Sequence, residues 1–246
     1  MNETMRAVAE TARDFLSGLV HALPECTLKN ELRGLMLKTT GISFLGLANK
    51  GDVVLQCGCW KIETVVKWSR AVGKKGRVII IEASEQNARR QQEDVARRGI
   101  TNVTIVNKGV WERHGTMTLQ VSDRPARNKL REQPAVSDVL TDDDYQGAER
   151  ISVDSIDNIV KALKLRRVDL ISCTVSGAER EAIKGMKTTM KRFKPRIWMR
   201  CVLRDSKTRR PLIDSVISLL KKNGYRVRRG KREARRVGGN LVAYHG

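Results

Sequence analysis

A glycine and a glutamate, each placed after an apolar run, are the residues whose types and spacing best fit a ligand site. Gly58 follows the apolar run 53–57, and Glu82 follows the run 78–81, 24 residues after Gly58. If both runs are parallel strands, the backbone N–H groups of the Gly58 turn and the Glu82 carboxylate meet at one edge of a sheet. A helix N-terminus there favours a polar ligand, and a carboxylate accepts hydrogen bonds from both hydroxyls of a ribose. The spacing predicts half of a nucleotide-type site, although the same pattern occurs in α/β domains that bind no nucleotide.

The sequence around these residues alternates between strand and helix patterns, as such a site requires. Apolar runs predict strands at 53–57, 78–81, 103–106, 168–174 and 195–201. Helical spacing predicts helices at 63–71, 84–98, 154–163, 176–190 and 212–220. Shorter runs at 116–121, 226–229 and 241–244 predict further strands, the last two at the end of the sheet. This order predicts an α/β fold: a mostly parallel central sheet with an antiparallel closing strand and helices on both faces.

Three further features of the sequence carry their own expectations. Helical spacing over 5–20 and 28–39 predicts an N-terminal helical extension, residues 1–50, that precedes a domain over 51–246. The apolar periodicity fails over 122–150, which predicts a long loop that is a lid, a binding loop or disordered. Ser176 and Glu179 have the S-x-x-E spacing of a capping box, which predicts the start of the fourth helix.

Length and composition exclude several classes of protein. The 246 residues suit one α/β domain that buries its own core. The five cysteines are odd in number and lack zinc spacing, so we predict no metal site and expect buried thiols in a reducing compartment. The first residues lack a signal-peptide pattern, and no run approaches about eighteen uncharged apolar residues. We therefore predict no transmembrane segment and a cytoplasmic location.

The positive charge is large and unevenly distributed. The net charge is +21, and residues 186–246 hold 19 Lys and Arg against 3 acidic residues. Such density predicts a phosphate-rich partner, either nucleic acid or anionic lipid. The alternative is a solvated basic surface that keeps the protein soluble, and few aromatic residues are present for stacking on bases. The sequence leaves both alternatives open.

The order of motifs resembles the FkbM-type family of S-adenosylmethionine-dependent methyltransferases over roughly 51–244. The resemblance is carried by the segments 51–58, 76–82, 102–107, 153–156, 169–179, 184–185 and 223–225. It implies a Rossmann-like class I methyltransferase fold with seven strands, S-adenosylmethionine as cofactor, and methyl transfer to an oxygen or nitrogen acceptor. The cofactor-binding residues expected at the first strand tips are Gln56, Gly58, Trp60, Glu82, Ala83 and Asn107.

The sequence departs from the family pattern at two places. In the first turn the family commonly has Asp where this chain has Gln56, a small polar residue at Trp60 and a second glycine at Ile62. Gln56 can hydrogen-bond a cofactor amino group but offers it no charge. After the fourth core strand, Thr174 and Ser176 replace two carboxylates. General-base catalysis usually needs a carboxylate or an imidazole, so this change removes the expected base.

No residue is assigned as catalytic from the sequence. His114, next to Gly115, is more typical of a turn residue than of a base. The leading hypothesis is a methyltransferase with an unidentified oxygen or nitrogen acceptor, for which RNA held by the basic segment 186–246 is one option. The competing hypothesis is a catalytically degenerate fold that serves as a basic binding module for nucleic acid or protein. The oligomeric state is not determined.

Overall fold

The computed structural model describes residues 32, 47–59, 61–123, 125, 128–131, 135–136, 145–201, 204–205, 207, 210–230 and 239–246. The predicted helix over 5–20 and the turn residue Trp60 lie outside the described residues. Of the second predicted helix, 28–39, only Leu32 is described, and it is helical. The division into an extension, 1–50, and a domain, 51–246, therefore stays a prediction.

The strands of the central sheet alternate with helices as the sequence predicted, except that the chain adds several short strands between the strand at Val103–Asn107 and the helix at Ile156–Ala162. The strands are β1 (Val53–Cys57), β2 (Arg77–Glu82), β3 (Val103–Asn107), β4 (Gly109–Val110), β5 (Gly115–Ser122), β6 (Lys129–Leu130), β7 (Ala135–Val136), β8 (Tyr145–Asp154), β9 (Leu170–Cys173), β10 (Arg196–Cys201), β11 (Arg204–Asp205), β12 (Tyr225–Arg229) and β13 (Gly239–His245). The helices are α1 (Ile62–Val72), α2 (Glu85–Arg97), α3 (Ile156–Ala162), α4 (Glu179–Lys184), α5 (Lys187–Phe193) and α6 (Leu212–Lys222).

The central sheet has seven strands in the order β12-β13-β10-β9-β1-β2-β3. The pairs β10–β9, β9–β1, β1–β2 and β2–β3 are parallel, and β13 is antiparallel to both β10 and β12. The mostly parallel sheet with an antiparallel closing strand is therefore confirmed. All parallel strands end at one edge, here called the carboxyl edge, and begin at the other, here called the amino edge.

Helices cover both faces of this sheet, as predicted. On one face, Val65, Trp68 and Val72 of α1 pack with Val95 of α2 over the strands. On the other face, α3, α4, α5 and α6 enclose the larger apolar cluster. Because β1 and β2 are covered on both faces, their residues are almost continuously apolar.

The prediction of a long loop over 122–150 is wrong in part, because strands from this segment belong to a second, smaller sheet. It has the order β4-β8-β5-β6, and β8 already begins at Tyr145 and pairs antiparallel with β5. Residues 146–148 are exposed, so this part of β8 carries no alternation of apolar and polar side chains. Its backbone hydrogen bonds come from β5, a partner that the local sequence does not reveal.

A buried ion pair connects two strand starts at the amino edge. Asp52, just before β1, and Arg196, the first residue of β10, are 5% and 9% exposed, and the Arg196 guanidinium donates to Asp52 Oδ2. The Asn49 N–H donates to the same carboxylate oxygen at 2.7 Å. The pair links β1 to a strand two positions away in the sheet.

Replacing Asp52 with Asn should lower the free energy of unfolding by about 3–5 kcal/mol, because the buried guanidinium of Arg196 loses this charge. Urea unfolding followed by circular dichroism measures the effect. The matched control is Asp214→Asn, which removes an exposed pair with Arg229 whose Oδ1 and Nη1 atoms are 3.1 Å apart. The control should cost less than about 1 kcal/mol. Equal losses in both variants would contradict the structural importance of the buried pair.

Candidate cofactor site at the carboxyl edge

The turn after β1 can accommodate only a glycine at position 58. Gly58 has φ +75°, a left-handed conformation, and a Cβ atom there would collide with the Thr174 carbonyl group. The Gly58 N–H donates to the Ile81 carbonyl oxygen at 2.8 Å. The turn therefore lies closely between the ends of β2 and β9.

Gln56 and Thr174 hold this turn together. The carbonyl oxygen of Gly58 accepts a hydrogen bond from Gln56 Nε2 at 2.8 Å and another from Thr174 Oγ1 at 2.8 Å. The other end of the Gln56 amide, Oε1, accepts from Trp68 Nε1 at 2.9 Å. Gln56 is 2% exposed, so its two polar ends are engaged inside the protein. Its contact with a cofactor stays a prediction.

This network joins the two places where the sequence departs from the family pattern. Carboxylates at positions 56 and 174 could only accept hydrogen bonds, whereas the Gln56 amide and the Thr174 hydroxyl both donate to the Gly58 carbonyl oxygen. The two substitutions are therefore complementary. Together they maintain the conformation of the turn.

Glu82, at the tip of β2, lies directly beside this turn. Its Oε2 accepts the Cys59 N–H at 2.9 Å, and its Oε1 accepts the Ser84 N–H at 3.1 Å. Burial raises the pKa of Glu82, while these bonds and one from the Asn87 side chain oppose the rise. The two backbone N–H groups and the Asn87 side chain thus occupy three of the roughly four lone-pair sites of the carboxylate.

Two other predicted site residues lie at neighbouring positions. Asn107 ends β3 opposite Glu82, and its Nδ2 donates to the carbonyl oxygens of Glu82 and Ala83 at 3.0 and 3.2 Å. Ala83 is half-buried between Glu82 and the N-cap residue Ser84 of α2. The structure thus brings Gln56, Gly58, Glu82, Ala83 and Asn107 to one edge, where their contact with a cofactor remains to be tested.

A polar cluster that the sequence did not assign lies beside these residues. Lys108 follows Asn107, and its Nζ lies 2.6 Å from Asp154 Oδ2. His114 Nδ1 lies 3.6 Å from the same oxygen, and the His114 side chain is 70% exposed. His114 does lie in the turn between β4 and β5, as expected. Asp154 belongs to the motif 153–156 of the family resemblance, which was the only sequence signal for this cluster.

The environment keeps Asp154 in its charged form. Burial alone would raise the pKa of Asp154, but hydrogen bonds from Lys108, Asn158 and the Ser155 N–H outweigh it and hold that pKa below its usual value. By contrast, burial and the charge of Glu82 raise the pKa of Cys59 to about 12. The Cys59 thiol is therefore protonated at neutral pH and is a poor nucleophile.

The prediction of a capping box after β9 is wrong. Helix α4 begins at Glu179 with Ala178 as its N-cap, and no side chain caps it. Ser176 instead adopts φ +43°, and Glu179 Oε2 accepts the Gly177 N–H at 3.0 Å. The predicted helix over 176–190 is also divided, since α4 ends at Lys184 and α5 begins at Lys187. Packing of Glu179 into the core, with no exposed surface, overrides the local capping pattern.

The structure indicates neither a metal centre nor a membrane span among the residues that it describes. Within those ranges, no group of three or more His, Cys, Asp or Glu side chains is arranged around a common point. None of the described helices has the length and apolar character needed to cross a bilayer.

The sheet order and the site at its carboxyl edge define the class: the fold is that of the class I S-adenosylmethionine-dependent methyltransferases. The sequence matches the Methyltransferase FkbM domain over residues 47–227. The chain therefore belongs to the FkbM methyltransferase family, as the resemblance implied. No curated protein matches the sequence significantly.

Two solved structures illustrate the similarity of fold. The FkbM methyltransferase of Methylobacillus flagellatus KT has a TM-score of 0.54 at 16% identity, over 95% of this chain and 58% of that one. Fibrillarin of Aeropyrum pernix, solved with natively bound S-adenosyl-L-methionine, has a TM-score of 0.50 at 15% identity, over 87% of this chain and 74% of that one. The chain thus spans little more than half the length of the FkbM relative. At these identities the comparison establishes the fold.

The stability of the protein should decrease as the pH rises, because of Glu179. Burial raises the pKa of Glu179 from 4.5 to about 7. A carboxyl group with a raised pKa contributes stability fully below its unfolded pKa and loses that contribution as the pH rises through its folded pKa. Between about pH 4.5 and 7 this residue should lower the free energy of unfolding by about 3 kcal/mol.

Replacing Glu179 with Gln should remove this slope, because an amide does not ionise. Urea unfolding at pH 5, 6, 7 and 8 compares the two proteins. The difference in stability between Glu179→Gln and the unsubstituted chain should shift in favour of the variant as the pH rises. Parallel pH profiles would contradict a buried neutral Glu179.

Proposed function

We propose that this chain transfers a methyl group from S-adenosylmethionine to an oxygen or nitrogen acceptor. The observation that carries the proposal is the Glu82 carboxylate, 7% exposed and held by backbone N–H groups from both the β1–α1 turn and the β2–α2 turn. A carboxylate at the tip of the second strand is where folds of this kind bind the hydroxyls of a ribose. Membership of the FkbM family and the class I fold support the same cofactor.

The residues present fit an S-adenosyl cofactor at most of the expected contacts. Glu82 would accept hydrogen bonds from the ribose, Gly58 would let the cofactor approach the backbone, and Asn107 and Ala83 would lie beside the base. A methyl group bound to a sulfonium is already activated, so positioning of the acceptor supplies much of the rate. The contact expected to be weakest is the one to the amino acid part of the cofactor, because Gln56 offers no charge.

A base for the acceptor can be proposed from the polar cluster at β4, β5 and β8. The ionised Asp154 lies 3.6 Å from His114 Nδ1, beyond a direct hydrogen bond, and its negative charge would stabilise the imidazolium that forms when the His114 ring accepts a proton. Lys108 connects this pair to the cofactor side, since its N–H donates to the Glu82 carbonyl oxygen at 3.1 Å. His114 would thus take the role that Thr174 and Ser176 cannot fill.

The competing function is a degenerate methyltransferase fold that binds nucleic acid or protein. Gln56 favours it, since both ends of its amide are occupied by Trp68 and Gly58. The Gly58 turn and the Glu82 carboxylate at adjoining strand tips count against it, because both match the pattern of a cofactor site. Calorimetry with the cofactor separates the two hypotheses.

Two further expectations accompany this function. The charge of segment 186–246 supports a phosphate-rich partner, and RNA is the acceptor class that it favours. Buried free thiols at Cys57, Cys59, Cys173 and Cys201 are compatible with a reducing cytoplasmic location.

Titration calorimetry with S-adenosylmethionine and with S-adenosylhomocysteine, after removal of nucleic acid, should give micromolar dissociation constants. Glu82→Gln should weaken the binding of both ligands by at least about tenfold. The reason is the loss of one charge-assisted hydrogen bond to the ribose, and a hydrogen bond of this kind is worth about 1.5–3 kcal/mol. The matched control is Glu85→Gln, an exposed carboxylate in the first turn of α2. Absence of heat with both ligands, in a protein shown to be folded, would favour the binding module instead.

His114→Asn should lower kcat by about a hundredfold or more while the affinity for S-adenosylhomocysteine stays unchanged, because it removes the base and not a cofactor contact. Release of S-adenosylhomocysteine, measured with the first acceptor found among RNA transcripts and hydroxylated small molecules, gives the rate. An unchanged kcat in the variant would exclude His114 as the base.

A further inference from the structure

Most of the connections that enter the strands at the amino edge carry exposed positive charge. We call the exposed cations of segments 73–76, 98–102, 163–168, 194–195 and 221–224 the basic edge. These segments lead into β2, β3, β9, β10 and β12. They contain nine Lys and Arg residues, all exposed, and no Asp or Glu.

The acidic groups near this surface are already paired. Asp169 accepts two hydrogen bonds from Arg167, at 2.7 and 2.8 Å. Asp52 is buried against Arg196, and Asp94 of α2 lies 2.7 Å from Arg97. The remaining cations of the basic edge, such as Lys75 and Arg166, are therefore not neutralised by these carboxylates.

Helix capping does not account for two of these lysines. Lys164, after α3, has φ +50°, and Lys194, after α5, has φ +49°. This left-handed position after a helix normally holds glycine, and any other residue there costs about 1 kcal/mol. Favourable charge at these helix ends is already supplied by Lys161 and by Lys191. Lysine at both positions thus lowers local stability and adds only exposed charge.

The side chains of the basic edge indicate which class of ligand fits this surface. Within the described segments of the basic edge, the side chains other than cations are small, polar or partly buried, and none is aromatic. A membrane-binding surface would expose apolar residues for insertion, and a single-strand site would expose aromatic rings for stacking. Cations without either feature fit phosphate groups whose bases are already stacked, as in a duplex.

We propose that the basic edge binds a nucleic-acid duplex through its phosphate backbone. The edge extends over six strand spacings of about 4.8 Å, roughly 29 Å in total, which is somewhat less than one turn of a duplex. It lies at the opposite end of the parallel strands from Glu82, so bound duplex leaves the candidate cofactor site accessible. Binding here is independent of methyl transfer, and its failure would leave the proposed function unaffected.

The test uses an edge variant that removes charge without harming the fold. It combines Lys75→Gln, Lys164→Gly and Lys194→Gly, in which both glycines suit the left-handed conformation and should preserve or raise the thermal midpoint. The matched control removes three exposed charges elsewhere, by Lys67→Gln, Arg89→Gln and Lys187→Gln. Both variants have the same net charge, so a difference in affinity between them does not come from the total charge.

Fluorescence anisotropy of the full chain with labelled 20-base-pair RNA and DNA duplexes, at several salt concentrations, measures the affinity. The edge variant should bind at least about tenfold more weakly than the control, and the slope of log affinity against log salt should fall by about three. RNA and DNA duplexes should bind similarly, because phosphates carry no sequence information.

Several results would overturn the proposal. Equal affinities of the edge and control variants would show that net charge alone determines binding. No binding of either duplex by the unsubstituted chain at low salt would exclude the site. If a single strand of matched sequence, or phosphatidylserine vesicles, bound more tightly than either duplex, the basic edge would be assigned to that other ligand.

Discussion

The carbonyl oxygen of Gly58 accepts hydrogen bonds from Gln56 and from Thr174, and the rest of the candidate site depends on the turn that these bonds hold. The turn positions the Cys59 N–H, which donates to Glu82. Glu82 in turn accepts the Ser84 N–H at the start of α2. The ends of β9, β1 and β2 are thereby joined through one short chain of hydrogen bonds. A side chain at position 58 would break it, because the Thr174 carbonyl group occupies the space.

The same chain of contacts gives the unusual residues of the site a physical explanation. An amide at position 56 and a hydroxyl at position 174 look like losses when each is compared with the family pattern by itself. In the structure they are two donors that share one acceptor, and Trp68 orients the amide from the other side. The Gln56 amide lacks the negative charge that an Asp would have at this position. Asp154, at the end of β8, and His114, in the turn between β4 and β5, form a separate polar cluster in which Asp154 Oδ2 and His114 Nδ1 lie 3.6 Å apart.

The parallel sheet also separates the charges of the chain into two regions. The carboxyl edge holds the buried or paired acids Glu82, Asp154 and Glu179. The amino edge holds the exposed cations that precede the strands, including Lys164 and Lys194 in left-handed conformations. This separation follows from topology, because every helix that returns to a parallel strand ends at the amino edge. The described part of the basic segment 186–246 is consequently divided between the two edges.

Sequence alone determined the strands and helices of the central sheet and placed Gly58 and Glu82 at neighbouring strand tips, since apolar periodicity and loop position are local properties. It did not determine β8, whose polar first half pairs with β5, nor the start of α4, where burial of Glu179 overrides the capping pattern. The sequence also did not indicate that Gln56 and Thr174 donate to the same carbonyl oxygen. These features depend on contacts between residues far apart in the chain, so only the tertiary structure decided them.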